Sequence, residues 1–288
     1  MTKTTKHIAL VCPGGPITRD LAEKTAEIAA ARHGDAIKLS FHSQCFLETG
    51  HFAGDDGTRS AAFLETANDP QFDAVWFARG GYGACRLDPM LFDRLNDHAR
   101  KKTYLGYSDA GTLLGRLYKD QIGKPVHGPM PTDLARDGGA DAIARALDYL
   151  LHTAPETLEP AAVSGKKVAA FNITILAHLA ATDWAPDLSG HVIMLEDVGE
   201  YLYRIDRAMF AIMANQGVRD SAGLMLGRIS DIPENDRPFG ETSEEILKNW
   251  CARIGVPYLG RADIGHDAAN KIVPFGGHSA PEQNYSRT

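Results

Sequence analysis

The segment Leu105-Gly106-Tyr107-Ser108-Asp109-Ala110 places a serine where a strand pattern ends and a helix pattern begins. Small residues on either side, Gly106 and Ala110, permit a tight turn that exposes the hydroxyl, which is the mechanical logic of a nucleophile elbow. The string is not GxSxG, because Ala110 stands where the second glycine would be. The helix behind the serine offers free backbone N–H groups to a developing oxyanion. The plainer reading is an N-cap, the usual reason for Ser or Asp before a helix. The loop Arg79-Gly80-Gly81-Tyr82-Gly83 carries three glycines, so its backbone can come close to a ligand. The Gly81 N–H beside the Asp109 N–H would complete an oxyanion hole. A phosphate cradle is poorly supported, since GxGxxG and GxxxxGK[ST] are both absent. A simple flexible turn is the competing reading.

A serine nucleophile needs a base, and eleven histidines compete. His266, in Asp263-Ile264-Gly265-His266-Asp267, follows an apolar strand and a glycine and is placed to reach into a cleft. His127, in His127-Gly128-Pro129-Met130, is its rival, and the residues alone do not choose between them. The base needs an orienting carboxylate. Glu196-Asp197 follows the buried strand Val192–Leu195 directly, where a carboxylate is partly desolvated and needs a partner. Glu200 and Asp206 are close competitors; Asp206 and Arg207 also read as a structural ion pair at a helix start.

The elements that must position these groups alternate. Strand patterns fall at His7–Cys12, Ala36–Phe41, Ala74–Ala78 and Lys102–Gly106, and helical spacing at Asp20–Arg32, Arg59–Asn68, Pro89–Leu95, Ala110–Gln121 and Asp141–His152. Such alternation predicts an α/β fold with a parallel sheet covered on both faces. Functional groups gather at the carboxyl ends of strands in such a sheet, where the loops 13–16, 79–83 and 106–109 lie. Residues 1–152 read as the N-terminal nucleophile domain. The stretch 153–165 is rich in Pro, Ala, Ser and Thr and reads as a linker. Residues 166–288 read as a smaller C-terminal α/β domain, with strands at Val192–Leu195, Leu224–Ile229 and Val256–Gly260 and helices at Ile205–Gln216 and Glu244–Ile254. The tail 277–288 is polar.

The 288 residues carry a net charge of −7, with 44% hydrophobic and 23% charged residues, as expected of a globular protein. Arg100-Lys101-Lys102 and Lys166-Lys167 read as solvated surface and make no basic face, so nucleic acid is set aside. Cys12, Cys45, Cys85 and Cys251 form no CxxC pair and match no zinc spacing; they read as reduced cytosolic thiols. No apolar run is long enough for a signal segment or a membrane span, so a cytoplasmic, membrane-free protein is expected. No cofactor or metal is called for.

Taken together, several segments resemble the LD-carboxypeptidase family, the muramoyltetrapeptide carboxypeptidases of serine peptidase family S66. They are Pro13-Gly14-Gly15-Pro16, Arg79-Gly80-Gly81-Tyr82-Gly83, Gly106-Tyr107-Ser108-Asp109, His127-Gly128-Pro129-Met130, Leu195-Glu196-Asp197-Val198-Gly199-Glu200, Tyr203-Arg204-Ile205-Asp206-Arg207, and Gly265-His266 with Asn270 and Pro274. Each is short, but together they span most of the chain in the family's order. The resemblance implies a flavodoxin-like N-terminal domain holding the nucleophile Ser108. It implies a C-terminal domain supplying the orienting Glu196 and the base His266, with the oxyanion hole formed by the backbone of Gly81 and Asp109. It implies an interdomain active site, a homodimer, and removal of the terminal D-alanine from a murein tetrapeptide in cell-wall recycling. One departure is Ala170-Phe171-Asn172, where the family often has Gly-Gly-Asn, adding bulk at the domain junction. The alternatives are a related peptidase acting on a peptide–nucleotide antibiotic, a non-catalytic small-molecule binding protein using the same cleft, and, less well supported, a nucleotide-dependent enzyme.

Overall fold

The computed structural model describes residues 5–277. The first half runs β1 (Lys6–Val11), α1 (Arg19–His33), β2 (Ile37–Phe41), α2 (Asp56–Asn68), β3 (Ala74–Phe77), β4 (Thr103–Gly106), α3 (Gly111–Lys119), β5 (Lys124–His127) and α4 (Gly139–His152). The second runs β6 (Val168–Asn172), α5 (Ile173–Leu179), β7 (Val192–Val198), α6 (Leu202–Ala214), α7 (Gln216–Arg219), β8 (Gly223–Ser230), α8 (Ser243–Ile254), β9 (Tyr258–Arg261) and β10 (Val273–Pro274).

The α/β class expected from the sequence is the one adopted. The larger sheet has the order β10-β5-β4-β3-β1-β2 and the smaller β6-β7-β8-β9. Every pairing is parallel except β10 against β5. All four residues of β3, Ala-Val-Trp-Phe, are buried. A strand covered by helices on both faces reads as an unbroken apolar run, which is why it was visible in the sequence.

β5 and β6 were not visible. Pro125 interrupts β5, and a proline inside a run argues against a strand. The bond from Phe275 N–H to Pro125 O at 3.0 Å uses only the carbonyl that proline retains. Pro89–Arg94 is a 3₁₀ segment rather than an α-helix, opened by the Asp88 side chain capping Met90 N. Lys102 is buried rather than solvated: its ammonium donates to Asp69 O at 2.7 Å and Phe72 O at 2.6 Å.

The segment 153–165 forms two short 3₁₀ turns, each with a proline in its first turn. Leu158 pairs with Ile272, and Glu159 N–H donates to Ile272 O at 3.0 Å. The outgoing and returning crossings between the halves therefore brace each other. Elsewhere α3 packs on α5. A Cβ on Gly115 would lie 2.9 Å from Leu179 Cδ1 and 3.4 Å from Phe171 Cε1. The extra bulk of Phe171 is thus accommodated against the glycine face of α3, and its ring lies 5.0 Å from that of Phe275.

Candidate active site

Ser108 is the second residue after β4, with Tyr107 between, and opens a 3₁₀ turn that leads into α3. Its φ is +58°, in the left-handed region that a residue with a Cβ seldom adopts. The turn is tight because its flanks are small. A Cβ on Gly106 would meet Phe77 Cδ2 at 2.9 Å and Ala110 Cβ at 3.4 Å. Strain of this kind persists only where the surroundings fix it.

The 79–83 loop ends the neighbouring strand and passes directly over the serine. A Cβ on Gly80 would lie 3.0 Å from Ser108 Cβ and 3.1 Å from its Oγ. Gly81 has φ +90°. Neither the Gly81 nor the Asp109 N–H donates to an acceptor among the described residues. The Asp109 side chain acts separately from its amide. Its Oδ2 accepts from Ala84 N–H at 2.9 Å and ties the glycine loop to the elbow. Burial pushes this carboxyl up, against the pull of the Ala84 and Gly83 amides. The loop is braced from behind by Arg59, a fully buried guanidinium that donates to Gly83 O at 2.8 Å and also to Pro13 O and Asp56.

In the second half, Glu196 lies on β7 at a bulge. Leu195 pairs with Leu226 and Asp197 with Ile229, so Gly227 and Arg228 oppose Glu196 alone. Bulges commonly re-aim a side chain beside a site. A Cβ on Gly227 would lie 3.0 Å from Glu196 Cβ and 2.7 Å from Ile264 O, so the bulge admits both the carboxylate and the loop bearing His266. Glu196 and His266 are both buried and meet: the Nδ1–Oε2 separation is 2.5 Å. An ionised carboxylate only accepts, so Nδ1 carries the proton and Nε2 keeps its lone pair. Burial alone would push the His266 pKa down; the charge and hydrogen bond of Glu196 outweigh it, and the net shift is upward. Glu196 Oε1 has no partner among the described residues.

The neighbouring Asp197 is occupied. It accepts from Asn172 Nδ2 at 2.7 Å, Thr174 N at 3.0 Å, Thr174 Oγ1 at 2.9 Å and Val198 N at 2.8 Å. Glu200 pairs loosely with Arg204 at 3.5 Å on the surface. Asp206 accepts from Trp250 Nε1 at 2.7 Å instead of pairing with Arg207. His127 is buried on β5, bonded to Asn270 Oδ1 at 3.1 Å, and burial drives its pKa down to about 4.

The two halves bring the imidazole to the elbow: the His266 ring lies 4.7 Å, centroid to centroid, from that of Tyr107, the residue before Ser108. No hydrogen bond joins Ser108 Oγ to the ring among the described residues. Catalytic contacts of this kind often tighten only when substrate is bound. Sequence reasoning missed several supports. Tyr107 OH donates to Asp133 Oδ1 at 2.6 Å. Arg228 donates to Asp263 at 2.6 Å and to Asp267 at 2.9 Å, bracketing His266 from both sides. Arg145, on α4, donates to Ala268 O at 2.8 Å and Asn270 O at 3.0 Å. None has a local motif; only the folded contacts reveal them. A cleft of about 820 Å³ between the halves is lined by Gly81, Tyr82, Asp109, Thr174, Ile175 and Trp184, among others. Among the described residues no His/Cys/Asp/Glu group is arranged to hold a metal ion. No helix there is long and apolar enough to cross a membrane.

Comparison with known proteins bears on the same regions. A protein of Synechocystis sp. named as a carboxypeptidase is 34% identical over 94% of this chain and 89% of its own. The murein tetrapeptide carboxypeptidase of Pseudomonas aeruginosa is 28% identical over 98% of this chain and 94% of its own. The crystal structure of muramoyltetrapeptide carboxypeptidase from Oxalobacter formigenes superposes with a TM-score of 0.77 at 24% identity, covering 93% of each chain. The microcin C7 self-immunity protein MccF shares the fold with a TM-score of 0.74 at 16% identity, covering 94% of this chain and 91% of its own. The LD-carboxypeptidase N-terminal domain model matches residues 8–128 and the C-terminal domain model residues 167–280, so the chain, with its elbow in the first region and its Glu–His pair in the second, belongs to the LD-carboxypeptidase family.

Proposed function

We propose that the protein is a serine carboxypeptidase that cleaves the L,D-amide bond releasing the terminal D-alanine of a murein tetrapeptide. The observation that carries this reading is the buried Glu196–His266 pair, delivered from the second half to a strained serine at the elbow of the first. Ser108 Oγ attacks the amide carbonyl carbon while His266 Nε2 takes its proton, and the imidazolium is held by Glu196. The carbonyl π electrons move onto oxygen, which the Gly81 and Asp109 N–H groups stabilise. Collapse breaks the C–N bond, and His266 returns the proton to the departing D-alanine nitrogen. Water, deprotonated by the same imidazole, then hydrolyses the tripeptidyl ester and regenerates Ser108.

The specific substrate rests on likeness to the Pseudomonas relative and on the motifs. Cell-wall recycling in the cytoplasm and a homodimeric assembly rest on the family resemblance. Tyr82 and Trp184 give the cleft aromatic faces, the feature that the peptide–nucleotide alternative asks for. The test is D-alanine release from tetrapeptide, with an aminoacyl-adenylate mimic run alongside. Wild type is expected to release D-alanine, and Ser108→Ala to lose about 10⁴-fold or more in kcat with an unchanged melting temperature. Turnover of the mimic alone would favour the alternative. Tetrapeptide binding without turnover by both proteins would favour a binding protein.

A further inference from the structure

A carboxypeptidase has to tell a chain end from a continuing chain, and the two differ by a full negative charge at the terminal carboxylate. In the proposed peptidase reaction, on which this inference rests, that charge lies one residue past the scissile bond, roughly 3.8 Å along the backbone. The group that recognises it has to stand beside the nucleophile.

Arg79 stands there. It precedes Gly80, whose Cβ position is 3.1 Å from Ser108 Oγ, and is two residues from Gly81. Its guanidinium lies over Gly15, with Nε 3.4 Å and Cζ 3.6 Å from where a Cβ of that glycine would be. Its Nη1 donates to Pro16 O at 2.7 Å. This backbone bond aims the group without neutralising it.

The charge of Arg79 is left over, as is that of Arg19, which lies over the Phe46 ring, while the other nearby arginines are engaged. Arg59 and Arg86 both pair with Asp56, Arg116 with Asp120, and Arg136 with Asp133. Arg79 makes no ion pair among the described residues. It lines a cavity of about 590 Å³ with Arg19, Lys24, Thr132 and the carboxylates Asp20 and Glu48, distinct from the cleft between the halves, whose lining includes Gly81. Two spaces thus flank the glycine loop, one between the halves and one at Arg79. We propose that Arg79 is the specificity-determining residue that binds the substrate's C-terminal carboxylate, with the acyl portion of the peptide in the interdomain cleft. A guanidinium suits this role because it is permanently charged and can present two parallel N–H donors to a carboxylate.

The test compares murein tetrapeptide with the same peptide ending in D-alaninamide, for wild type, Arg79→Met and Arg79→Lys. Wild type is expected to favour the free acid by about 10²-fold in kcat/KM, the usual scale for a charged hydrogen-bonded contact. Arg79→Met should lose most of that on the acid and little on the amide, so the ratio falls to within a few-fold of one. Arg79→Lys should keep an intermediate ratio. The side chain is exposed and makes one protein hydrogen bond, so both variants are expected to melt close to wild type. An unchanged acid-to-amide ratio in Arg79→Met overturns the proposal while leaving the peptidase reading intact. A wild type that cleaves neither peptide overturns both.

Discussion

At the residue scale, the pair that matters most is Glu196 and His266. The imidazole pKa is raised because the carboxylate outweighs burial. A general base works only when neutral, so activity in the proposed mechanism is lost as pH falls through that raised value. The acidic limb of kcat/KM is expected above the ordinary imidazole value of about 6.5. In Glu196→Gln the charge is gone while burial remains, so the limb should move to lower pH. The kcat should also drop by about 10³ to 10⁴, because an amide no longer fixes the Nδ1–H tautomer. A limb that stays in place would separate Glu196 from the base. The same shift has a stability sign. The favourable contribution of protonated His266 is present below the unfolded pKa and disappears as pH rises through the higher folded value. His127 illustrates what the residues alone left open. As a string it equals His266, but burial without a carboxylate partner holds it neutral, and the difference lies in what each ring meets after folding.

At the element scale, the His266 loop is held by what flanks it. Arg228 sits in the bulge opposite Glu196, and its guanidinium spans Asp263 and Asp267. These groups are partly exposed, so the ion pairs contribute about 1 kcal/mol or less each to stability. Their larger effect is on where the imidazole stands. Arg228→Met is expected to shift the melting temperature by only about 2–4 °C. It should lower kcat about tenfold with KM nearly constant, since small misplacements of a catalytic group are costly. Unchanged kcat would assign the clamp to stability alone. β1, β3 and β4 of the larger sheet were legible because they are largely buried and so read as apolar runs. The elbow was legible as a strand–turn–helix string, although an N-cap has the same local look and only the family likeness separated the two. The bulge was not legible: Gly227-Arg228 carries no motif, and its meaning appears only when β7 and β8 lie side by side.

At the scale of the whole molecule, the groups of the proposed mechanism come from the two halves of the chain, which are joined by direct contacts. Leu158 against Ile272, Arg145 on the 268–270 backbone, and the Gly111–Gly115 face of α3 against Phe171 all cross that boundary. β10 returns to pair with β5, so the segment that carries His266 is anchored on the sheet that leads into Ser108. Composition and periodicity indicate two α/β halves but carry no information on such long-range pairing, so composition alone reads the crossing at 153–165 as a linker. In the proposed mechanism everything converges on Ser108 as the residue acylated by substrate. Rapid quenching of wild type with murein tetrapeptide, followed by peptide mass mapping, tests this directly. A transient tripeptidyl ester is expected on the fragment containing Ser108, absent from Ser108→Ala. D-Alanine release at the wild-type rate by Ser108→Ala would contradict it.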